Sequence, residues 1–320
     1  LNIDHWSVYK IAKELHRPYN TINKEVKSVT VYLYNGKIKR YKPDIAEQKY
    51  KDKRANSKRY YRCLECVKFL NYVVEMFNKK GWSLDASVGY APKNNLFSTD
   101  EMVCTKTLYN YVNLGILPIK NIDLPEKFKR NTKSSSTRKN RKILGKSIEE
   151  RPETVNLREE FGHWEIDSVL GKKKDTEPAI MTIVERKTRM SLWIKIKDHS
   201  SMAIDEALQS LINRFGAKKS EVFKSITGDN GSEFANLSNI ENNGISVYFT
   251  HPYTSCEKGT NECHNKMLRR FISKGKSIDD YSAEDILFFS DTINGLPRKI
   301  LNYHTPEELF ETQLDRIYAT

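Results

Sequence analysis

Residues 162–171 read GHWEIDSVLG, and the architecture follows from that stretch. Apolar and polar residues alternate between two glycines, the period-two pattern of a strand with one buried face. Two more strand-like runs follow, Ile180 to Glu185 and Met190 to Lys197. Ser201 to Phe215 has helical spacing, with Ala203, Ala207, Leu208, Leu211 and Ile212 on its apolar side. Val222 to Thr227 reads as a buried strand and Ser246 to Phe249 as another, and a Gly-Thr-Asn turn at 259–261 opens a further helix. This order predicts an α/β domain, a mixed five-stranded sheet with helices on both faces.

Three carboxylates stand at matching points of that pattern. Asp167 lies in the first strand. Asp229 lies in SITGDNGSEF (225–234), where a β-type run ends in a glycine-bracketed turn. Glu262 lies in EKGTNECHNKMLRRF (257–271), at the opening of the helix. Carboxylates suit hard divalent cations such as Mg²⁺, with Mn²⁺ as a substitute. Two such ions about 3.5–4 Å apart activate a water and stabilise the leaving oxygen of a phosphodiester. The candidate catalytic and metal-binding set is therefore Asp167, Asp229 and Glu262. Glu165 is expected to turn away from Asp167 on the same strand. Glu233 is expected to cap or pack locally, and Glu257 to lie outside the helix of Glu262.

From Gly162 onward the chain resembles the integrase-type catalytic core of a bacterial DDE transposase, and is most similar to the insertion sequence thirty (IS-thirty) family. The matching blocks are GHWEIDSVLG at 162–171, TGDNGSEF at 227–234, HPYTSCEKGTNECHNKMLRRFISKG at 251–275 and LPRKILNYHTPEELF at 296–310. SVYKIAKELHRPYNTINKEV at 7–26 is similar to that family's helix-turn-helix. Ile166, Cys256 and Ser273 depart from the family's usual residues, and none of them removes a carboxylate. The resemblance implies a ribonuclease-H-like fold with Asp167 on the central strand, Asp229 at the end of the strand beside it and Glu262 reaching inward from a helix. It implies two Mg²⁺ ions per active site, DNA strand cleavage and strand transfer. The implied partners are the element's terminal inverted repeats and target DNA, bound by a homodimer or higher homo-oligomer.

Charge points the same way independently. Residues 1–150 carry 31 Lys/Arg against 15 Asp/Glu, net +16, whereas residues 151–320 carry 23 against 26, net −3. A basic half joined to a near-neutral half fits a DNA-binding region attached to a catalytic body. Five cysteines make no disulfide framework, and no long apolar stretch or signal-peptide pattern is visible. The chain is therefore expected to be cytoplasmic and nucleoid-associated, without a membrane partner. It begins at Leu1 without an initiator Met.

The organisation expected is a helix-turn-helix domain at 1–55, a second helical DNA-binding domain at 56–126, a basic linker at 127–156 and the catalytic domain at 157–320. Ser7 is expected to cap a helix from Val8 to Leu15, with Val8, Ile11, Ala12 and Leu15 on its apolar face. His16 tolerates the bend, and Asn20 is expected to cap the next helix, Thr21 to about Lys27. That helix presents Tyr19, Asn20, Asn23 and Lys24 to a DNA groove. Val29 to Tyr34 and Asn35-Gly36 read as a strand and hairpin turn, followed by a basic segment to Arg62. An amphipathic helix ends near Gly81, and Asp85–Val88 with Cys104–Val112 form a second helix pair, where Lys106 and Asn110 are the exposed polar positions. After Glu262, Lys266, Arg269 and Arg270 are natural phosphate contacts. His163, His264, Cys63, Cys66, Cys256 and Cys263 lack the fourth partner of a zinc site.

Two other functional classes fit parts of the chain. A domesticated DNA-binding regulator needs no intact carboxylate set. A ribonuclease-H-type nuclease on RNA–DNA hybrids needs no groove-reading helices.

Overall fold

The computed structural model describes residues 6–35, 38–57, 61–125, 144–172, 177–251 and 259–319. Gly36 of the expected hairpin, most of the 127–146 basic stretch, Cys256 and Glu257 lie outside the described residues. Contacts group the chain into two compact units, Leu1–Arg62 and Cys63–Thr320.

The first unit holds α1 (Val8–Glu14), α2 (Tyr19–Val29), β1 (Thr30–Leu33), β2 (Ile38–Tyr41) and α3 (Pro43–Asn56). Ser7 caps α1 as expected, its Oγ accepting the Lys10 N–H at 3.3 Å. His16 adopts φ +48°, which makes the bend without glycine. Two expectations fail here. Leu15 is 55% exposed rather than packed. Asn20 is no cap, because α2 already starts at Tyr19 behind Pro18, whose fixed φ of −58° supplies the extended approach. The basic segment also contains order of its own, since β2 pairs antiparallel with β1 and α3 follows it.

The second unit is built on a five-stranded sheet. Its strands are β3 (His163–Leu170), β4 (Ala179–Glu185), β5 (Ser191–Ile196), β6 (Ser225–Gly228) and β7 (Ser246–Phe249), in the order β5-β4-β3-β6-β7. The first three run antiparallel, and β6 and β7 join β3 in parallel. The expected mixed sheet is present with the Asp167 strand at its centre. The expected strand at Val222 begins instead at Ser225, because Lys219–Val222 closes as a short helix.

Both glycines that bracket β3 are needed there. Gly162 has φ +101°, and a Cβ on Gly171 would lie 2.3 Å from the Lys276 carbonyl oxygen. One sheet face buries Trp164, Ile166, Met181 and Ile183 against α8 (Ser201–Asn213) and Phe310 of α12 (Pro306–Tyr318). The other buries Val169, Ile180 and Trp193 against α10 (Gly259–Leu268) and α11 (Ala283–Asn294). Sequence patterning left α11 and α12 unassigned, although Ser282/Asp285 and Thr305/Glu308 are capping boxes and Pro306 opens α12.

Helices α4 (Val67–Lys80), α5 (Leu84–Lys93) and α6 (Thr105–Asn113) share their own apolar cluster around Phe69, Leu108 and Tyr111. α4 ends at Gly81 in the left-handed conformation, as its spacing predicts. This helical layer is tied to the rest of its unit by the Lys93 ammonium, which donates to the Asn302 carbonyl at 2.8 Å. Among the described residues no helix is long and apolar enough to cross a membrane.

Candidate active site at the centre of the sheet

Glu165 of β3 is paired with Thr227 of β6. Two residues further along both strands stand Asp167 and Asp229. In-register neighbours on parallel strands lie roughly 5 Å apart, so the fold brings these two carboxylate-bearing positions side by side. Asp229 lies just past β6, where its Oδ1 accepts the Gly231 N–H at 3.0 Å. Asn230 stitches the same turn down, its Oδ1 accepting the Leu144 N–H at 3.0 Å while its Nδ2 donates to the Thr250 carbonyl.

Glu262 arrives from the first turn of α10 and is half-buried. One turn later Asn265 Nδ2 donates to Asp167 Oδ2 at 2.6 Å, and Thr182 Oγ1 donates to Asn265 Oδ1 at 3.1 Å. The Thr182 hydroxyl on the carbonyl side orients the amide so that its NH₂ faces the carboxylate. Asn265 thereby ties α10 to the central strand.

The expected placement of Glu165 is wrong. Residues two apart on a strand share a face, so Glu165 lies on the α10 side with Asp167. It is fully buried, with Oε1 against Arg186 Nη1 and Oε2 accepting the Asn261 N–H at 3.1 Å. Glu233 also does more than local packing. Ser168, adjacent to Asp167, donates to Glu233 Oε1 at 3.3 Å, and its Oγ lies 2.8 Å from His199 Nε2. The hydrogen bond to Glu233 raises the pKa of His199, helped by the charges of Glu233, Asp229 and Asp167 and opposed by burial. Burial is the largest single influence and disfavours the Glu233 carboxylate, but the bond to His199 and its charge, a backbone N–H and Ser168 together outweigh it and lower the pKa. His199 carries no local motif and becomes visible only once the fold brings the segment after β5 to Ser168 and Glu233.

Neither histidine beside the carboxylate strands is arranged for metal. His163 bonds to Ser225 and Glu160. His264 sits between the Thr260 carbonyl at 2.8 Å and Arg298 Nη1 at 2.7 Å. Burial, reinforced by Arg298, pushes its pKa down to about 3, so it is neutral, and its Nε2 lies against both Arg298 and the Arg189 carbonyl.

The basic positions divide. Lys266 and Arg270 are exposed, whereas Arg269 is half-buried and its Nη2 donates to the Leu170 carbonyl at 2.8 Å. In the first unit Tyr19, Asn20 and Lys24 are exposed and Asn23 is half-buried. In the second unit Lys106 and Asn110 are both exposed on α6. Among the described residues no three His, Cys, Asp or Glu side chains are gathered closely enough to hold a metal ion. The donor chemistry nevertheless suits one, since Asp167 on β3 and Asp229 just past the end of the adjoining β6 both offer hard oxygens, as does Glu262.

A sheet of this order, with carboxylates on its central strand, just past the end of the strand beside it and on a covering helix, is that of an integrase-type catalytic core. Residues 158–255 match the family model described as integrase core domain. The probable transposase for insertion-like sequence element IS1161 of Streptococcus salivarius is 45% identical over 207 residues, covering 65% of this chain and 58% of that protein. The transposase InsI for insertion sequence element IS30A of Escherichia coli K12 is 28% identical, over 95% of this chain and 79% of that protein. The chain is thus similar to insertion-sequence transposases, those of IS1161 and IS30A among them. Among solved structures, the catalytic core domain of BIV integrase aligns with 49% of this chain at 19% identity and a TM-score of 0.37, a likeness too loose to carry argument.

Proposed function

We propose that this chain binds the terminal inverted repeats of its own mobile element and cuts and rejoins DNA with Asp167, Asp229 and Glu262. The observation that carries the reading is the parallel register of β3 and β6, paired as far as Glu165 and Thr227, which continued by two residues leads to Asp167 and to Asp229 just past β6, beneath a helix tied to Asp167 through Asn265. These three carboxylates would hold Mg²⁺, with Mn²⁺ as a substitute. The bound ions supply Lewis-acid stabilisation and a hydroxide-like nucleophile at neutral pH.

The chain's own residues have separate tasks. Asn265 holds Asp167 in orientation, and the Gly231 N–H and the Asn230 stitches hold the Asp229 turn. In the first step a phosphodiester at the element's end is hydrolysed, leaving a 3′-hydroxyl. In the second that hydroxyl attacks a target phosphodiester in line, and the displaced 3′-oxygen leaves. No covalent protein–DNA bond is needed.

DNA is contacted by Tyr19, Asn20, Asn23 and Lys24 of α2, by Lys106 and Asn110 of α6, and by Lys266, Arg269 and Arg270 near the site. Exposed Lys266 and Arg270 reach phosphate directly. Arg269 acts from its bond to Leu170, which braces the end of β3. A homodimer or larger assembly on the two element ends fits the need to process two ends together. The reading as a hybrid nuclease has no use for the exposed polar face of α2.

The test is nicking of end-labelled inverted-repeat DNA in Mg²⁺ by the intact chain and by Asp229→Ala. We expect metal-dependent nicking at the repeat end by the first and none by the second. Equal nicking by both would overturn the assignment.

A further inference from the structure

Glu165 has no place in the carboxylate triad, yet it is fully buried two residues before Asp167. A buried carboxylate is costly unless it is paired and hydrogen-bonded. Here it is both. Arg186, 4% exposed, meets one oxygen and is itself held by a bond from its Nε to the Val155 carbonyl at 3.3 Å. The other oxygen accepts the Asn261 N–H.

That N–H belongs to the first turn of α10, where backbone donors have no partner within the helix. The strand thus supplies a negative acceptor to the positive end of the helix that carries Glu262. Four residues further along α10, Asn265 makes the second tie, to Asp167.

The two ties match in length. Four helical residues rise about 6.0 Å, and two strand residues span about 6.6 Å. Helix positions 261 and 265 therefore sit over strand positions 165 and 167 without distortion. Glu262 lies between the two ties. If the first were released, the helix would pivot on Asn265 and carry Glu262 away from the aspartates.

We infer that Glu165, locked by Arg186, is a positioning residue that sets the place of Glu262 by anchoring the first turn of α10. This rests on the proposed role of Glu262. Glu165→Ala alone would strand the Arg186 guanidinium in the core, so the test removes the ion pair in two ways. Glu165→Gln with Arg186→Met keeps an oxygen acceptor for the Asn261 N–H. Glu165→Met with Arg186→Met fills the same space with none. Replacing a buried ion pair by neutral side chains of similar volume is commonly tolerated.

Two measurements follow on the full chain. In metal-free protein, amide exchange at Asn261 and Glu262 is expected to be about tenfold or more faster in the Met/Met variant than in the Gln/Met variant, with β4 equally protected in both. In nicking assays the Met/Met variant is expected to lose about 10- to 100-fold in kcat relative to the Gln/Met variant, with unchanged KM for DNA and a higher Mg²⁺ midpoint. Equal exchange and equal kcat in the two variants would overturn the anchor. Glu262→Gln in the same assay separates the two ideas. If it cleaves normally, the role of Glu262 fails. If it is inactive while the double variants match each other, only the anchor fails.

Discussion

The Leu1–Arg62 unit and the Cys63–Thr320 unit are held together by different means. Among its described residues the first buries only Ile11, Ala12 and Val29 of its apolar side chains, and α3 buries nothing. The second contains three apolar clusters and a central strand that is buried on both faces at Trp164, Glu165 and Ile166. A thin core leaves polar and basic groups at the surface, which suits a partner that is read from outside. A thick core holds carboxylates to within the tolerance that chemistry requires. On the proposed function, recognition and catalysis therefore draw on opposite ends of the packing scale.

The sharpest way to break the comparison is to spare packing and remove charge. Asp167→Asn, Asp229→Asn and Glu262→Gln should each reduce cleavage by about a thousandfold or more, a barrier change of roughly 4 kcal/mol. Repeat-DNA binding and the melting temperature should change little. Cleavage at the normal rate in any one variant would remove that residue from the set.

Packing comes next. Trp164→Ala deletes a fully buried indole that stacks on Phe223 and donates to the Val222 carbonyl at 2.8 Å. It should cost about 3–5 kcal/mol, seen as a large fall in the main thermal transition. Ile11→Ala should cost about 2 kcal/mol and shift only an earlier, smaller transition, leaving the main one in place. A single transition that moves equally with both variants would show that the two units do not melt separately.

Recognition variants should act more weakly. Asn23→Ala with Lys24→Ala should narrow the affinity gap between repeat and random DNA by about tenfold, within the roughly 1–3 kcal/mol of a base contact. It should also lower the salt slope by about one unit if Lys24 meets a phosphate. An unchanged gap would take α2 out of the groove.

The smallest effect concerns acid. Burial lowers the pKa of His163 below 6.5, against the opposing pull of Glu160. The unfolded chain then takes up a proton that the folded chain refuses, so stability is full above pH 6.5 and declines as pH falls below it. His163→Gln should flatten part of that decline in urea titrations at pH 7 and pH 5.5. An identical pH dependence in the variant would assign the acid sensitivity to other groups.

Much of this molecule is legible in local sequence. Alternation predicts β3, and the Asp229 turn marks the second carboxylate, because turns and strand period are short-range properties; the turn expected at 259–261 is instead the first turn of α10 itself. Ser7 as a cap, the bend at His16 and the α4 stop at Gly81 follow from single-residue conformational preference. Capping boxes would have placed α11 and α12 as well. The start of α2 is less legible, because Pro18 rather than Asn20 sets the approach to the helix.

What the sequence by itself determined is the order of elements, the three carboxylate contexts and the division of charge between the two halves. Only the tertiary structure decided that Glu165 faces α10, that Arg269 turns inward to Leu170, and that His199 joins Ser168 and Glu233. The physical reason is range. The Asn261 bond to Glu165 and the Asn265 bond to Asp167 span 96 and 98 residues. No periodicity or turn preference carries information across such a gap. Those pairings exist because the packed sheet leaves each buried polar group one place to find its partner.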